Sequence, residues 1–356
     1  MNAKEFDYDG FLKFAEEKED TLQKFMAGKI SRPLFTQSVV GDAYGFASTR
    51  KESSLEAWLE NMTVTTKLHA DVAYAYIQPW LGVAVYANAF GAKLFWSDKT
   101  DVQSRCCYMD VSEVANVPVP DPKKCELMQM VMEYIRYFKE QTHGLLPMCL
   151  TDTHSPCDTA SLVLDACEYF AAAKEEPEMR FDFMEKITRC TIDFTEMQME
   201  AIGENLVRPG HEMISGRSLK GIALSDDNMA FISPETYDVI CRPWNEQISR
   251  HFGGVAIHSC GVVSHNLEKL RQTEGLQYFN FKITDFEPND AALLAKTFAG
   301  TDVVLNPCVY PQEDLSRLVP LFQSGVKVIV NVFTSGSPDE MNRQYDAAVE
   351  KMMDFC

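Results

Sequence analysis

The sequence lacks the features that mark several broad classes of protein. Lysine and arginine total 33 against 52 acidic residues, which gives a formal net charge of -19. The acidic residues are spread along the chain, so they indicate a solvated surface and argue against nucleic acid as a partner. Residues 1–20 contain no apolar core like that of a signal peptide, and no later stretch is long and uncharged enough to span a bilayer. We therefore expect a soluble, cytoplasmic protein with no membrane partner.

The sequence also has no cysteine pattern that would indicate a disulfide framework. Its cysteines are odd in number, 11 in all, and follow no short repeating spacing, which fits reduced intracellular thiols. No glycine-rich phosphate-binding motif follows any predicted strand, and there is no internal repeat. Histidines number only 7, so a histidine beside a cysteine at ligand spacing is easy to single out.

Apolar, β-branched runs alternate with amphipathic stretches of helical length from about residue 215 onward, which is typical of consecutive βα units. Serine–proline pairs at 233–234 and 337–338 mark two helix starts. The predicted strands are 33–41, 72–80, 145–151, 221–227, 254–260, 276–284, 301–307 and 326–334. Eight such strands predict an α/β fold, a (β/α)8 TIM barrel.

We expect this barrel to be a single domain spanning residues 1–356. Residues 1–30 are predicted to form an N-terminal helical extension. Residues 82–120 and 205–220 do not fit the alternation and are predicted to be insertions on the barrel.

One pair of residues at a strand end has the spacing of metal ligands. Reactive groups in a parallel barrel come from the carboxyl ends of the strands. His258 and Cys260 end the fifth predicted strand and, two residues apart, point to the same side within reach of one ion. Cys308 ends the seventh strand, and a His/Cys/Cys set with one open position is the coordination expected of a catalytic zinc. His-x-Cys alone is a weak pattern, and Cys308 fits a core position equally well.

The other strand ends supply acids and candidate pocket residues. Asp152, Asp226 and Asp227 are the candidate catalytic residues, although an Asp-Asp pair is more often a helix-capping or solvated pair. His211 and His265 have weaker claims. The candidate substrate-binding residues are Asp42, Tyr44, Trp80, His154 and Asn331, with Phe333 as a further pocket residue; for His154 a polar loop position is the alternative.

Two neighbouring segments, Ile232–Trp244 and Val255–Gly261, resemble the fourth helix and fifth strand of the uroporphyrinogen decarboxylase superfamily. The resemblance extends over most of the chain and is strongest between residues 220 and 340. The superfamily includes corrinoid-dependent methyltransferases similar to methylcobalamin:coenzyme M methyltransferase, whose zinc motif is His-x-Cys followed much later by a cysteine. His258 and Cys260 match the first half of that motif.

The late cysteine of those methyltransferases follows the last strand, whereas Asn331–Gly336 contains none, so Cys308 takes its place. The resemblance implies zinc-dependent transfer of a methyl group between a corrinoid (methylcobalamin) and a thiol or similar acceptor. It implies that Asp152, Asp226 and Asp227 orient the substrate or the imidazole. It also implies a corrinoid protein as partner and a homodimer.

Two other functions remain open at this point. The decarboxylase of the same superfamily is cofactor-free and acts on a tetrapyrrole bearing many carboxylates, which several converging cations must bind. Here the segment Ser31–Ser38 contains Arg32 as its one cation, although Asp42 could bind pyrrole N–H groups. A non-enzymatic carrier of a corrinoid or tetrapyrrole is the third interpretation, but a carrier has no need of clustered His and Cys at strand ends.

Overall fold

The computed structural model describes residues 3–39, 44–96, 102–175, 177–211 and 213–355. In chain order the strands are β1 (Leu34–Val39), β2 (Lys93–Phe95), β3 (Gln103–Arg105), β4 (Ile222–Ser225), β5 (Val255–His258), β6 (Leu276–Lys282), β7 (Val304–Val309) and β8 (Lys327–Thr334). The helices are α1 (Tyr8–Met26), α2 (Lys51–Thr65), α3 (Ala84–Ala89), α4 (Val111–Val114), α5 (Glu126–Gln141), α6 (Pro156–Val163), α7 (Ala166–Glu175), α8 (Pro177–Ile202), α9 (Pro234–Ile240), α10 (Arg242–Phe252), α11 (Leu267–Arg271), α12 (Ala291–Phe298), α13 (Val319–Gln323) and α14 (Pro338–Met353).

A parallel sheet of six strands, in the order β1-β8-β7-β6-β5-β4, forms the wall of the barrel. Each of β5, β6, β7 and β8 follows the preceding strand through at least one helix and pairs with it in parallel. The five strands predicted in the second half of the chain overlap β4 to β8. β2 and β3 are an antiparallel pair outside this sheet.

The predicted second and third strands are extended segments joined by isolated bridges. Ile77 forms a parallel bridge with Met148, and the amide of Ile77 donates to the carbonyl of Pro147 at 2.9 Å. Pro79 and Pro147 have no amide N–H to give to a ladder, which limits regular pairing here. His154 closes the wall by a bridge to Ser225 in β4. The predicted (β/α)8 TIM barrel is confirmed, with two of its eight positions occupied by these irregular segments.

The predicted helix starts are confirmed by their capping contacts. Ser337 precedes Pro338, and its hydroxyl accepts from the amide of Glu340 at 3.4 Å, while the Glu340 carboxylate accepts from the amide of Ser337 at 2.8 Å. Ser233 caps α9 in the same way, accepting from the amide of Thr236 at 3.2 Å. Since proline at the first helical position loses no hydrogen bond, these pairs begin helices at low cost.

Residues 82–120 contain α3, the β2–β3 pair and α4, whereas the described part of 205–220 is irregular apart from bridges of Leu206 with Met148 and of Arg208 with Gly216. The N-terminal helices are present as predicted, and α1 packs Leu22 and Phe25 against the lower end of the barrel. Within the described ranges, every helix is too short or too polar to cross a bilayer.

The barrel interior changes from apolar to polar along the strands. Side chains two residues apart on a strand share a face. At the amino-terminal end the inward row is apolar: it contains Leu34, Ala223, Ala256, Tyr278, Val304 and Ile329. Two residues further along, the inward row contains His258, Asn280, Asn306 and Asn331, which are all buried. The sheet register aligns the first three of these directly, because His258 pairs with Asn280 and Asn280 pairs with Asn306.

Phe279 in β6 packs the barrel against its outer helices, and its substitution tests this packing. Phe279 is fully buried, and its ring lies 4.7 Å from that of Phe281 and 6.3 Å from that of Phe298 in α12. We expect Phe279→Ala to lower the free energy of unfolding by about 3–5 kcal/mol in urea titrations. The control is Phe286→Ala, whose side chain is 91% exposed and should change stability by no more than about 0.5 kcal/mol. Equal effects would contradict this packing.

Candidate functional site

The centre of the site is a chain of buried side-chain hydrogen bonds across β5, β6 and β7. His258 Nδ1 lies 2.5 Å from Asn280 Oδ1. The amide nitrogen of Asn280 donates to Asn306 Oδ1 at 2.5 Å, and that of Asn306 donates to the carbonyl of Ile329 at 2.5 Å. Because each amide nitrogen faces an acceptor, Asn280 Oδ1 is left to accept the Nδ1–H of His258. His258 therefore keeps the lone pair of Nε2 for another contact.

Nε2 of His258 faces a thiol and a carboxylate. Cys260 Sγ lies 3.0 Å from it, and the amide of Cys260 donates to Asp227 Oδ1 at 2.7 Å. Ligand atoms of Asp227, His258 and Cys260 all lie within 4.8 Å of one another. The turn after β4 thus delivers Asp227 to the turn after β5, and we name these three residues the mouth cluster.

Cys308, the third predicted metal ligand, lies in the same cavity but has different contacts. Its sulfur accepts from the amide nitrogens of Asn280 at 3.4 Å and Asn331 at 3.5 Å. The ligand atom of Asp227 lies within 4.8 Å of those of His258 and Cys260. Among the groups of described residues with this spacing, none combines Cys308 with His258 and Cys260. Cys308 is linked to the histidine through Asn280.

The mouth cluster opens into a cavity of about 280 Å³. One wall comes from the barrel strands, and α2 provides another. The cavity is lined by Ser38, Tyr44, Trp58, Asn61, Met62, Thr65, Tyr74, Tyr76, His258, Cys260, Asn280, Lys282, Cys308, Asn331 and Phe333. Three predicted pocket residues, Tyr44, Asn331 and Phe333, are therefore brought together. This volume lies just below the usual range of small-molecule sites, which begins at about 300 Å³.

Trp80, another predicted pocket residue, lies one layer behind this lining. Its ring packs edge-on against Tyr44 at 4.8 Å and lies 5.9 Å from that of His211. Asp42, the remaining substrate-binding candidate of the first strand, falls outside the described residues.

A buried carboxylate and two histidines lie beside the mouth cluster. Asp152 Oδ1 lies 2.6 Å from His211 Nδ1, and its Oδ2 lies 3.5 Å from His154 Nε2. The ring of His211 is 4.7 Å from that of His258. Two of the predicted residues, Asp152 and His154, thus form one polar group with a histidine that the sequence did not favour.

Charge interactions within this group outweigh burial. Burial disfavours the ionised form of Asp152, but His211 and His154 hold the pKa of Asp152 well below its usual range. Burial likewise disfavours the protonated form of His154, but the Asp152 carboxylate raises the pKa of His154 to about 9. Asp152 is therefore an anion and His154 a cation at neutral pH.

Asp226, a predicted catalytic residue, points away from the mouth. Asn245 in α10 donates to its Oδ2 at 2.7 Å, and its side chain lies against Cys157 and Cys241. Burial raises the pKa of Asp226 to about 6. Successive residues after β4 therefore separate: Asp227 joins the mouth cluster, and Asp226 enters the helical layer.

The search for reactive residues at the carboxyl ends of the strands did not identify Asn280, and it gave His211 only a weak claim to a role in the site. Asn280 lies inside β6, and the sequence signal that identifies it is the alternation of Tyr278, Asn280 and Lys282 along an inward face. His211 lies in an irregular segment with φ of 47°, a strained value for a residue other than glycine. Such a backbone angle has no single-sequence signature.

The pH dependence of stability tests the Asp152–His154 pair. Because the folded pKa of His154 lies above its unfolded value of about 6.5, the pair stabilises the fold fully below about pH 6.5 and loses this contribution as pH rises towards 9. We expect the difference in free energy of unfolding between the parent and His154→Gln to be largest near pH 6 and to shrink by pH 9.

The matched control is His265→Gln, because the ring of His265 meets the carbonyl of Ile232 at 3.0 Å instead of a carboxylate. Chemical denaturation at several pH values measures both differences. A His154→Gln difference that stays constant from pH 6 to pH 9 would refute the assignment of the charged pair.

Residues 62–208 match the uroporphyrinogen decarboxylase (URO-D) family. This region includes Trp80, Asp152 and His154, and it lies upstream of residues 220–340, where we expected the strongest resemblance. No curated protein matches the sequence.

Among solved structures, a methyltransferase from Methanosarcina mazei is similar in fold, with a TM-score of 0.68. The alignment covers 95% of this chain and 99% of that chain at 14% sequence identity, a level at which the likeness concerns the fold alone. The family match over residues 62–208 and the likeness of the (β/α)8 fold both agree with the resemblance to the uroporphyrinogen decarboxylase superfamily that the sequence implied.

Proposed function

We propose that the protein is a zinc-dependent methyltransferase that moves a methyl group between a corrinoid and a thiol or similar acceptor. The observation that carries the proposal is the mouth cluster, in which one imidazole, one thiol and one carboxylate converge and whose His258 and Cys260 line a small cavity. The family match and the methyltransferase of similar fold support this class of reaction.

The chemistry of the donor set fits zinc. Zinc accepts imidazole nitrogen, thiolate sulfur and carboxylate oxygen, and catalytic sites use three protein ligands with one open position. His258 offers Nε2 because Asn280 accepts its Nδ1–H, an arrangement typical of metal-binding histidines. Asp227 Oδ1 accepts the Cys260 amide at 2.7 Å, and its Oδ2 accepts a long hydrogen bond of 3.4 Å from the Ser225 hydroxyl. We therefore assign His258, Cys260 and Asp227 as the ligands and treat Cys308 as the alternative third ligand.

The cavity determines which acceptors can reach His258 and Cys260. At about 280 Å³ it admits a small molecule, with Tyr44 and Phe333 as apolar contacts and Ser38, Lys282 and Asn331 as polar ones. Zinc, when bound, would lower the pKa of an acceptor thiol and favour its thiolate. In the transfer the acceptor thiol would lose its proton and its sulfur would form a bond to the methyl carbon, while the bond from that carbon to the corrinoid cobalt would break and leave its electron pair on cobalt. The Asp152–His211 pair lies beside His258, with the two histidine rings 4.7 Å apart.

The methyl donor must approach from outside the barrel. A corrin macrocycle is larger than the described cavity, so the methyl group has to be presented at the mouth. This supports a separate corrinoid protein as the partner that carries the cobalamin.

The decarboxylase alternative has weaker support from the same cavity. A porphyrinogen with many carboxylates needs several converging cations. Among the described lining residues, Lys282 is the one permanent cation, and it is already 3.1 Å from the Glu287 carboxylate. This distribution of charge favours a smaller acceptor.

Removal of single ligands tests the mechanism. We expect His258→Gln and Cys260→Ser each to lose one zinc equivalent relative to the parent. Each should also slow methyl transfer from methylcobalamin to a thiol by more than the roughly 10–100-fold that follows loss of an outer hydrogen-bond partner. Elemental analysis and the spectral change of methylcobalamin measure the two effects.

Asp227→Asn and Cys308→Ser then identify the third ligand. We expect Asp227→Asn to weaken zinc binding and Cys308→Ser to retain the parent zinc content. The reverse result would restore the His258–Cys260–Cys308 set. A parent protein without zinc at the mouth, or with zinc but no methyl transfer to any thiol, would reject the proposed function.

The Asn280 contact has its own test. We expect Asn280→Ala to weaken zinc binding by about 10–100-fold, because His258 loses the acceptor that fixes its ring and its tautomer. Asn280→Asp keeps an acceptor oxygen in place and is the matched control. Competition with a chromophoric chelator measures both affinities, and equal affinities for Asn280→Ala and the parent would show that the hydrogen bond does not support the metal.

A further inference from the structure

A second convergence of ligand atoms lies behind the mouth, in the layer between the barrel and the helices. We propose that Cys157, Asp226 and Cys241 form a buried metal site that takes zinc and joins three elements of the fold. Their ligand atoms all lie within 4.8 Å of one another, and all three residues are fully buried. We name them the inner cluster. This site is separate from the methyltransferase proposal and does not depend on it.

Local structure explains why the two thiols meet. Cys157 is in the first turn of α6, directly after Pro156. Cys241 is the cap residue between α9 and α10, and Pro243 is the second residue of α10. At Cys241 the backbone departs from helical geometry, with φ of -113° and ψ of -60°, and its thiol makes no capping hydrogen bond. The helix break thus points a thiol into the space that Asp226 and Cys157 enter from the other side.

The carboxylate of Asp226 has one oxygen without a hydrogen-bond donor. Asn245 satisfies Oδ2 at 2.7 Å, whereas Oδ1 is buried and, among the described residues, accepts no hydrogen bond of normal geometry. The Ser155 hydroxyl adds only a weaker favourable interaction with the carboxylate. A fully buried carboxylate oxygen is stable when it is protonated or when it binds a cation. Two thiols at ligand distance favour the cation.

The donor set selects the class of metal. Thiolate ligands suit zinc and other borderline or soft ions, whereas magnesium and calcium require shells made of oxygen. Binding of Zn²⁺ would displace the two thiol protons to solvent, so that two thiolates and one carboxylate surround the dication. Asn245, which donates to the second carboxylate oxygen, orients Asp226 as outer partners of metal ligands do.

Such a site would fix the position of the mouth cluster. Asp226 and Asp227 are consecutive, and Asp227 holds the amide of Cys260 at the mouth. A metal at the inner cluster would connect α6, the end of β4 and the α9–α10 junction, because one of its ligands comes from each of them. The turn that carries Asp227 would then be held from behind by coordination as well as by packing.

The zinc content of variants that lack one of the two clusters tests this proposal. The parent, a mouth variant (His258→Gln with Cys260→Ser) and an inner variant (Cys157→Ser with Cys241→Ser) are each equilibrated with zinc chloride under reducing, anaerobic conditions and then freed of excess metal. We expect two zinc ions per chain in the parent and one in either variant. The control, Cys149→Ser with Cys190→Ser, removes two buried thiols outside both clusters and should retain two.

The outcomes for the two sites can be distinguished. One zinc in the parent and none in the mouth variant would overturn the inner site and leave the mouth site intact. One zinc in the parent and none in the inner variant would support the inner site and reject the mouth site. The mouth variant decides the question by itself if the inner variant fails to fold.

The ligands of the remaining ion provide a direct check. In the mouth variant, zinc K-edge X-ray absorption should show two sulfur atoms at about 2.3 Å together with oxygen. An ion without sulfur neighbours, or a thiol count that reveals a disulfide between Cys157 and Cys241 in place of metal, would overturn the proposal.

Discussion

The candidate site depends on the hydrogen bond between His258 Nδ1 and Asn280 Oδ1. That bond is fixed in turn by Asn306, whose amide nitrogen is held by the carbonyl of Ile329. All of these side chains are buried, so each polar group must form its hydrogen bond with the next side chain in the chain of bonds. Exchanging the oxygen and nitrogen of one side-chain amide would place two donors opposite each other. The chain of bonds therefore sets the tautomer of His258. With Nδ1 protonated, Nε2 is the nitrogen that faces Cys260 and Asp227.

The barrel makes this network possible by the order of its inward rows. The apolar row below it, which includes Ala256, Tyr278 and Val304, excludes water from the lower interior. The row above it, with Cys260, Lys282 and Cys308, meets the cavity. The amide row lies between them, where hydrogen bonds are strengthened by burial and where the sheet register aligns neighbouring side chains. A one-residue shift of any strand would turn its polar side chains to the helices.

The sequence predicts the barrel better than it predicts the site. Strands β4 to β8 follow from apolar runs bounded by helix caps, and His258 and Cys260 follow from a two-residue spacing at a strand end. Asn280 was missed because its role comes from pairing with another strand, which the position of a residue near a strand end does not reveal. His211 depends on an irregular segment whose path is fixed by tertiary contacts. Asp226 was grouped with Asp227 although successive side chains leave an extended backbone on opposite sides.

That separation of Asp226 from Asp227 connects the two clusters. A rigid site needs support behind the residues that contact its ligand. Asp227 meets Cys260 at the mouth, and Asp226, one residue earlier, meets Asn245, Cys157 and Cys241 in the helical layer. Contacts that fix the position of Asp226 also restrict the position of Asp227, because the two aspartates are joined by one peptide unit. The position of the mouth carboxylate is thus determined by the helical layer as much as by the barrel wall.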